Sequence, residues 1–248
     1  MALSKCCISG FNWDGKPTGK ETKLAGLNTY VTGTNKEAAV LYVHDIFGWT
    51  FINSRLLADH YANEAGVTVY VPDFFGGEVV TTETMNNPEK QAAFDLGAFL
   101  GRNGKDKRGP EIFAAARALK EELEYKKVGA IGFCYGGWAT ARLAGKGNNL
   151  IDAATIAHPG LLEESEIDAI SVPFQILAPE NDFTYTQELK NYSNKVIPTL
   201  GVEYDYQYFP GLEHGFATRG DPKNPIQRKG LERAKNAAVH WFQQHLGV

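Results

Sequence analysis

The sequence predicts an α/β protein built on a mostly parallel β-sheet with helices on both faces. Short apolar segments alternate with segments of helical periodicity along most of the chain. The apolar segments carry hydrophobic residues at consecutive positions, which is typical of strands buried on both faces of a parallel sheet. With 248 residues, 43% of them hydrophobic, the chain can form one compact core. We therefore expect residues 1–248 to form a single domain without a separate cap domain.

The elements follow in order from an N-terminal edge region. Residues 1–33 are rich in glycine and threonine, and a weak strand signal at 27–31 predicts an edge hairpin. The buried strands are predicted at 39–43, 67–71, 128–133, 153–157, 174–178 and 204–209. The helices are predicted at 51–65, 88–100, 110–125, 138–144, 185–196 and 226–245. The charged, glycine-rich stretch 101–110 is predicted to be a surface loop.

Charge and hydropathy exclude several classes of protein. The chain has 25 Lys and Arg residues against 29 Asp and Glu residues, a net charge of −4, and its basic residues are scattered. This pattern argues against a nucleic-acid partner. An apolar run of about 18 residues, which a membrane span needs, does not occur, and the first residues lack the plan of a signal peptide. We therefore expect a cytoplasmic protein with no membrane partner.

The three cysteines are an adjacent pair, Cys6 and Cys7, and the isolated Cys134. An odd number with this spacing indicates free thiols in a reducing compartment rather than a disulfide framework. The chain has no Cys-x-x-Cys or His-x-x-x-His spacing that would give zinc its four ligands, so we expect no metal site.

Cys134 lies in the segment Gly-Phe-Cys-Tyr-Gly-Gly at 132–137, between a predicted strand and a predicted helix. This is the Gly-x-nucleophile-x-Gly pattern of a nucleophile elbow, with cysteine as the nucleophile. The glycines permit a tight, strained turn, and the start of the following helix stabilises a thiolate. The alternative is a buried structural cysteine in the glycine-rich turn of a nucleotide-binding fold. The glycines on both sides favour the nucleophile.

A thiol nucleophile needs a base, and the base needs an acid that orients it. Asp182 follows the strand predicted at 174–178, and His214 follows the strand predicted at 204–209. The order Cys134, Asp182, His214 is the nucleophile, acid, base order of α/β-hydrolases. Other assignments stay open at this point: Asp182 as a helix cap, Glu180 as the acid, and His44 or His158 as the base.

The loop after the strand at 39–43 reads His-Asp-Ile-Phe-Gly-Trp at 44–49. In α/β-hydrolases this loop donates one backbone N–H to the oxyanion, and the residue after the nucleophile donates the other. We therefore expect the amides of Ile46 and Tyr135 to form the oxyanion hole, with Phe47 and Trp49 as candidates for contacting substrate. The alternative is an ordinary turn, in which Asp45 and Gly48 are common residues.

Four motifs together resemble the dienelactone hydrolase family: His-Asp-Ile-Phe-Gly at 44–48, Val-Pro-Asp-Phe-Phe-Gly-Gly at 71–77, Gly-Phe-Cys-Tyr-Gly-Gly at 132–137, and His-Gly-Phe at 214–216. The N-terminal Cys-Cys-x-x-Gly segment at 6–10, with Tyr-Val-x-Gly at 30–33, resembles the fungal and animal branch of that family. The resemblance extends from about residue 33 to the last helix. It implies a single-domain α/β-hydrolase fold without a cofactor. It also implies that Cys134, His214 and Asp182 open lactones or cleave esters through a thioester.

Two positions depart from the family pattern. The best-known members have a glutamate at the position of Asp45, which contacts the resting thiol and then yields it to the histidine. Asp45 is therefore the candidate for thiol gating, with a side chain one methylene shorter. Members that bind the carboxylate of dienelactone also have an arginine four residues after the histidine, where this chain has Thr218 followed by Arg219. Arg219, or the loop residues Arg102 and Arg108, could bind an anionic group.

The resulting expectation is an enzyme whose partner is a small ester or lactone, with a homodimer as an open alternative. Two other functions also stay open on the same fold. One is a thiol-sensing or ligand-binding protein with low turnover. The other is an acyl-transfer or thioesterase step in a biosynthetic pathway.

Overall fold

An eight-stranded β-sheet forms the centre of the protein, in a computed structural model that describes residues 11–247. The strands are β1 Lys20–Leu24, β2 Leu27–Thr32, β3 Ala38–Val43, β4 Thr68–Pro72, β5 Lys127–Phe133, β6 Ala153–Ala157, β7 Phe174–Asn181 and β8 Tyr204–Glu213. Their order across the sheet is β1-β2-β4-β3-β5-β6-β7-β8. The first two strands pair antiparallel at one edge, and every pair from β4 to β8 is parallel. The mostly parallel α/β sheet predicted from the sequence is confirmed.

The helices connect the strands and cover both faces of the sheet. They are α1 Ile52–Ala65, α2 Thr82–Asn86, α3 Pro88–Ala93, α4 Leu96–Arg102, α5 Lys105–Arg117, α6 Gly136–Leu143, α7 Glu164–Asp168, α8 Gln187–Val196, α9 Phe216–Arg219 and α10 Pro225–Leu246. A π-helical turn at Ala118–Glu122 extends α5, and a 3₁₀ turn at Ile197–Thr199 extends α8. Within residues 11–247, no helix combines the length and apolar character needed to cross a membrane.

Two hydrophobic cores lie on the two faces of the sheet, and the side chains of β3 alternate between them. Leu41 and Val43 face the core formed with α5 and α6, whereas Val40 and Tyr42 face the core formed with α1 and α10. Since β3 is central and buried along its whole length, its sequence is a continuous apolar run rather than an alternating one. This pattern is the reason that the central strands could be located from the sequence.

The structure differs from the sequence prediction between residues 88 and 117. The helix predicted at 88–100 is interrupted, because Asp95 caps the start of α4 by accepting a hydrogen bond from the amide of Ala98 at 2.9 Å. The predicted loop at 101–110 is helical from Lys105 onward and includes Pro110. Burial of the side of α5 that includes Ile112 outweighs the local preference of its glycine and proline for a turn. The pair Cys6 and Cys7 lies outside the described residues.

Candidate active site

Cys134 occupies a sharp turn between β5 and α6, with a backbone φ of 48°. A positive φ is strained for any residue with a side chain, and such strain persists only where the surrounding structure enforces it. A Cβ on Gly132 would lie 2.3 Å from the carbonyl oxygen of Gly136, and a Cβ on Gly136 would lie 2.1 Å from the carbonyl oxygen of Val43. Close backbone approach therefore explains why glycines flank Cys134 at two residues on each side.

Strand register brings Asp182 and His214 together. Asn181 and Glu213 form the last paired positions of β7 and β8. The residue after β7 is the predicted acid, Asp182, and the residue after β8 is the predicted base, His214. The amide of His214 also donates to the carbonyl oxygen of Asn181 at 3.1 Å. His214 Nδ1 lies 3.0 Å from both carboxylate oxygens of Asp182, and both side chains are almost completely buried. The two residues thus form a buried acid–base pair at the carboxyl end of the sheet.

The turn after β7 orients the Asp182 carboxylate. Its Oδ1 accepts hydrogen bonds from the amides of Thr184 and Tyr185 at 2.9 and 3.0 Å, and the Thr184 hydroxyl lies 2.8 Å away. Burial raises the pKa of Asp182, but the charge of His214 and these hydrogen bonds outweigh it and hold the pKa below its ordinary value. Asp182 is therefore ionised at neutral pH. Thr184 was not predicted from the sequence, although it comes only two residues after Asp182.

The imidazole of His214 interacts with Asp182 and with Cys134. Burial lowers the pKa of His214, but the opposing charges of Cys134 and Asp182, together with side-chain hydrogen bonds to both, raise it from 6.5 to about 10. His214 consequently holds a proton at neutral pH next to the cysteine sulfur. An adjacent imidazolium favours the thiolate form of a cysteine, which is the nucleophilic form.

A cleft of about 90 Å³ opens over Cys134 and His214. It is lined by Ile46, Leu96, Leu100, Cys134, Tyr135, Gly160, Leu161, Phe183, Thr184 and His214. The leucines at 96 and 100 come from α4, and the side chains at 161 and 183 are 38% and 44% exposed at the rim. These four apolar residues were not predicted, because three separate connections of the sheet bring them together and no local motif marks them.

Ile46 and Tyr135, the two residues predicted to form the oxyanion hole, both line this cleft. Among the backbone hydrogen bonds of residues 11–247, none uses the amide of either residue as a donor. Tyr135 stands directly before the first residue of α6, where the helix leaves its first N–H groups without intrahelical partners. Both amides are thus available to an acceptor in the cleft.

Asp45 lies behind this site in a second buried acid–base pair. Its Oδ2 accepts a hydrogen bond from the Thr218 hydroxyl at 2.9 Å and lies 3.4 Å from Nε of Arg219. Its Oδ1 accepts from the amide of Phe47 at 2.9 Å, and the Arg219 guanidinium lies 5.1 Å from the Phe47 ring centre. The carboxylate thus connects the loop after β3 to α9.

This placement does not support the roles expected for four residues. Asp45, the thiol-gating candidate, and the substrate-binding candidates Phe47, Trp49 and Arg219 are absent from the described lining of the cleft. Each is buried, with no more than 8% of its surface exposed. Trp49 lies instead beneath the guanidinium of Arg55, at 4.9 Å. The sequence indicated that these residues lie near the site but contained no signal for the direction of their side chains.

The alternative acid, Glu180, and one alternative base, His44, have other partners. Glu180 accepts a hydrogen bond from the amide of Gly211 at 2.6 Å. His44 Nδ1 donates to the carbonyl oxygen of Asp45 at 2.8 Å, while its Nε2 accepts from the amide of Phe74 at 3.3 Å, so it connects the ends of β3 and β4. Burial lowers the pKa of His44.

His158 lies directly behind His214, with ring centres 5.0 Å apart in an edge-to-face arrangement. Burial, followed by the charges of His214 and Arg219, holds the pKa of His158 well below 6.5. Neither of its ring nitrogens has a hydrogen-bond partner within residues 11–247. His158 is therefore a neutral packing surface for the His214 ring. Across the same residues, no group of three or more histidine, cysteine or acidic side chains is arranged to hold a metal ion.

Comparison with known proteins identifies the family. The model of the dienelactone hydrolase family matches residues 27–246. The chain is 32% identical to the hydrolase pyvD of Aspergillus violaceofuscus, over 98% of this chain and 97% of that protein. It is 28% identical to the human carboxymethylenebutenolidase homolog, over 97% and 96% of the two chains.

A solved structure agrees with the fold. The dienelactone hydrolase of Anabaena variabilis superposes with a TM-score of 0.65 at 16% identity, over 93% of this chain and 98% of that one. The relatives are fungal and animal proteins, and the resemblance seen in the sequence motifs is confirmed. The chain belongs to the dienelactone hydrolase family and is a carboxylic ester or lactone hydrolase.

Proposed function

We propose that this protein hydrolyses small carboxylic esters or lactones through a thioester formed on Cys134. The observation that carries the proposal is the buried pair of His214 and Asp182, joined at 3.0 Å, beside Cys134 in an open cleft. A protonated imidazole between a carboxylate and a thiol is an arrangement that activates a sulfur nucleophile.

In the acylation step, the Cys134 thiolate attacks the carbonyl carbon of the substrate. The tetrahedral oxyanion accepts hydrogen bonds from the amides of Ile46 and Tyr135. As the C–O bond to the leaving group breaks, His214 gives its proton to the departing alkoxide, which becomes an alcohol. In a lactone this alcohol stays attached to the acyl group.

In the deacylation step, the now neutral His214 takes a proton from water, and the resulting hydroxide attacks the thioester carbon. The C–S bond breaks, the carboxylic acid leaves, and Cys134 returns to the thiolate facing a protonated His214. Asp182 keeps the imidazole in the required orientation through both steps and stabilises its positive charge.

The test is a kinetic screen of activated esters, lactones and thioesters on the wild type and on Cys134→Ala. We expect the substitution to lower kcat by at least about a thousandfold, because it removes the nucleophile. The matched control is Cys6→Ala/Cys7→Ala, which removes the other two thiols and should retain wild-type kinetics. Undiminished activity in Cys134→Ala would contradict the proposal. Alkylation of Cys134 without turnover of any substrate would favour thiol sensing instead.

A further inference from the structure

The walls of the cleft over Cys134 are mostly hydrocarbon. Five of its described lining residues are apolar: Ile46, Leu96, Leu100, Leu161 and Phe183. The hydroxyl of Tyr135 donates to the carbonyl oxygen of Asn103 at 2.6 Å, and the hydroxyl of Thr184 lies within hydrogen-bonding distance of Asp182 and Pro159. Within the described lining, His214 is the one side chain that can carry a positive charge.

The charge of His214 is already balanced within the site. Its imidazolium is held by the Asp182 carboxylate and by Cys134, and both interactions raise the pKa of His214. The imidazolium of His214 and the carboxylate of Asp182 together carry no net charge. A further anion in the cleft would therefore find no unbalanced positive charge to attract it.

The nearby arginines are also paired with carboxylates. Arg102 pairs with Glu78 at 2.6 Å, Arg108 pairs with Glu111 at 2.9 Å, and Arg219 pairs with Asp45 at 3.4 Å. None of these arginines belongs to the described lining of the cleft. The Arg219 side chain is 1% exposed, so it cannot reach a bound substrate without a rearrangement of its surroundings.

We infer that the cleft binds an uncharged, apolar acyl group and discriminates against substrates that carry a carboxylate. This inference rests on the proposed hydrolase function and specifies its substrate class. An apolar acyl group gains roughly fourfold in binding for each methylene that it buries. A carboxylate would lose its hydration there without gaining a partner. The cleft therefore favours neutral esters and neutral lactones.

A matched pair of esters tests this inference. The first is the p-nitrophenyl half-ester of glutaric acid, with its spontaneous hydrolysis subtracted. The second is its neutral counterpart, in which an isopropyl group of the same shape replaces the carboxylate. We expect kcat/KM for the neutral ester to exceed that for the anionic ester by at least about a hundredfold in the wild type.

Two substitutions in α4 test whether the lining of the cleft causes the preference for the neutral ester. Leu100→Arg adds a positive charge to the lining, and we expect it to reduce the ratio by at least tenfold. Arg102→Ala, in the same helix but paired with Glu78, should leave the ratio unchanged. Equal or faster hydrolysis of the anionic ester by the wild type would overturn the inference and leave the proposed function intact. A ratio that does not respond to Leu100→Arg would also overturn it. If the wild type hydrolyses neither ester, the proposed function fails and the inference fails with it.

Discussion

One short segment of the chain supplies the bases of two buried acid–base pairs, a histidine in one and an arginine in the other. His214 pairs with Asp182 at the end of β7, and Arg219 pairs with Asp45 just after the end of β3. All four side chains are at most 1% exposed. The histidine faces the cleft and can release its proton, whereas the arginine lies behind the cleft, and a guanidinium does not act as a proton donor.

The difference shows that a buried acid–base pair can either transfer a proton or hold two parts of the structure together. The Asp182–His214 pair can pass a proton to a substrate because its base titrates. The Asp45–Arg219 pair cannot do so, and its contacts with Phe47 and Thr218 fix the loop after β3 against the segment that carries His214. We therefore expect removal of the first carboxylate to affect catalysis and removal of the second to affect stability.

Asp182→Asn should lower catalytic activity more than any substitution in the Asp45–Arg219 pair. Asparagine keeps the shape of the side chain but favours the wrong tautomer of His214, so kcat should fall by about 10³–10⁴-fold. Asp45→Asn is the matched substitution in the other pair, and its kcat should stay within about tenfold of the wild type. Steady-state kinetics on one neutral ester measures both variants. Equal losses of kcat in the two variants would contradict the division of roles.

The next effect is on the stability of Asp45→Asn. This substitution keeps the acceptor for the Phe47 amide but leaves the Arg219 charge without its carboxylate, so the free energy of unfolding should fall by about 3–5 kcal/mol. Urea denaturation measures the change. The double variant Asp45→Asn/Arg219→Met removes the uncompensated charge and should recover part of the loss. A double variant less stable than either single variant would show that the pair is not the source of the effect.

The smallest effect is a difference between the two pairs in how their contribution to stability depends on pH. The pKa of His214 is about 10 in the folded protein and 6.5 ordinarily, so its stabilising contribution is complete below pH 6.5 and is lost as the pH rises through about 10. The difference in Tm between the wild type and Asp182→Asn should therefore shrink by about 2–4 °C from pH 6.5 to 10. The corresponding difference for Asp45→Asn should stay constant, because guanidinium groups in proteins keep their proton throughout this range. If the difference in Tm from the wild type changed with pH in the same way for both variants, the two pairs would not differ in their contribution to stability.

The parts of the fold that the sequence predicted well are those specified by local patterns. The central strands are continuous apolar runs, and Cys134 is marked by glycines that close backbone contacts require. The helix boundaries between residues 88 and 117 were less accurate, because packing of α5 against the core overrides its local turn preference. The helices α7 and α9, of five and four residues, are too short to show a helical period.

The candidate site could be predicted in its chain order but not in its side-chain directions. Asp182 and His214 could be located because each directly follows a strand of the parallel sheet. The pairing of Asp45 with Arg219 joins distant parts of the chain, and no local pattern marks it. The apolar walls of the cleft likewise come from separate connections and depend on how these pack together.

The proposed mechanism requires the Asp182–His214 pair to act through a covalent thioester on Cys134. The most direct measurement mixes the wild type with the neutral p-nitrophenyl ester, quenches with acid during turnover, and determines by mass spectrometry which peptide carries the acyl group. We expect the acyl mass on the peptide that contains Cys134 and its release by neutral hydroxylamine, as for a thioester. Continued turnover with the acyl group on another residue, or with no acylated peptide in a burst-phase sample, would contradict this mechanism.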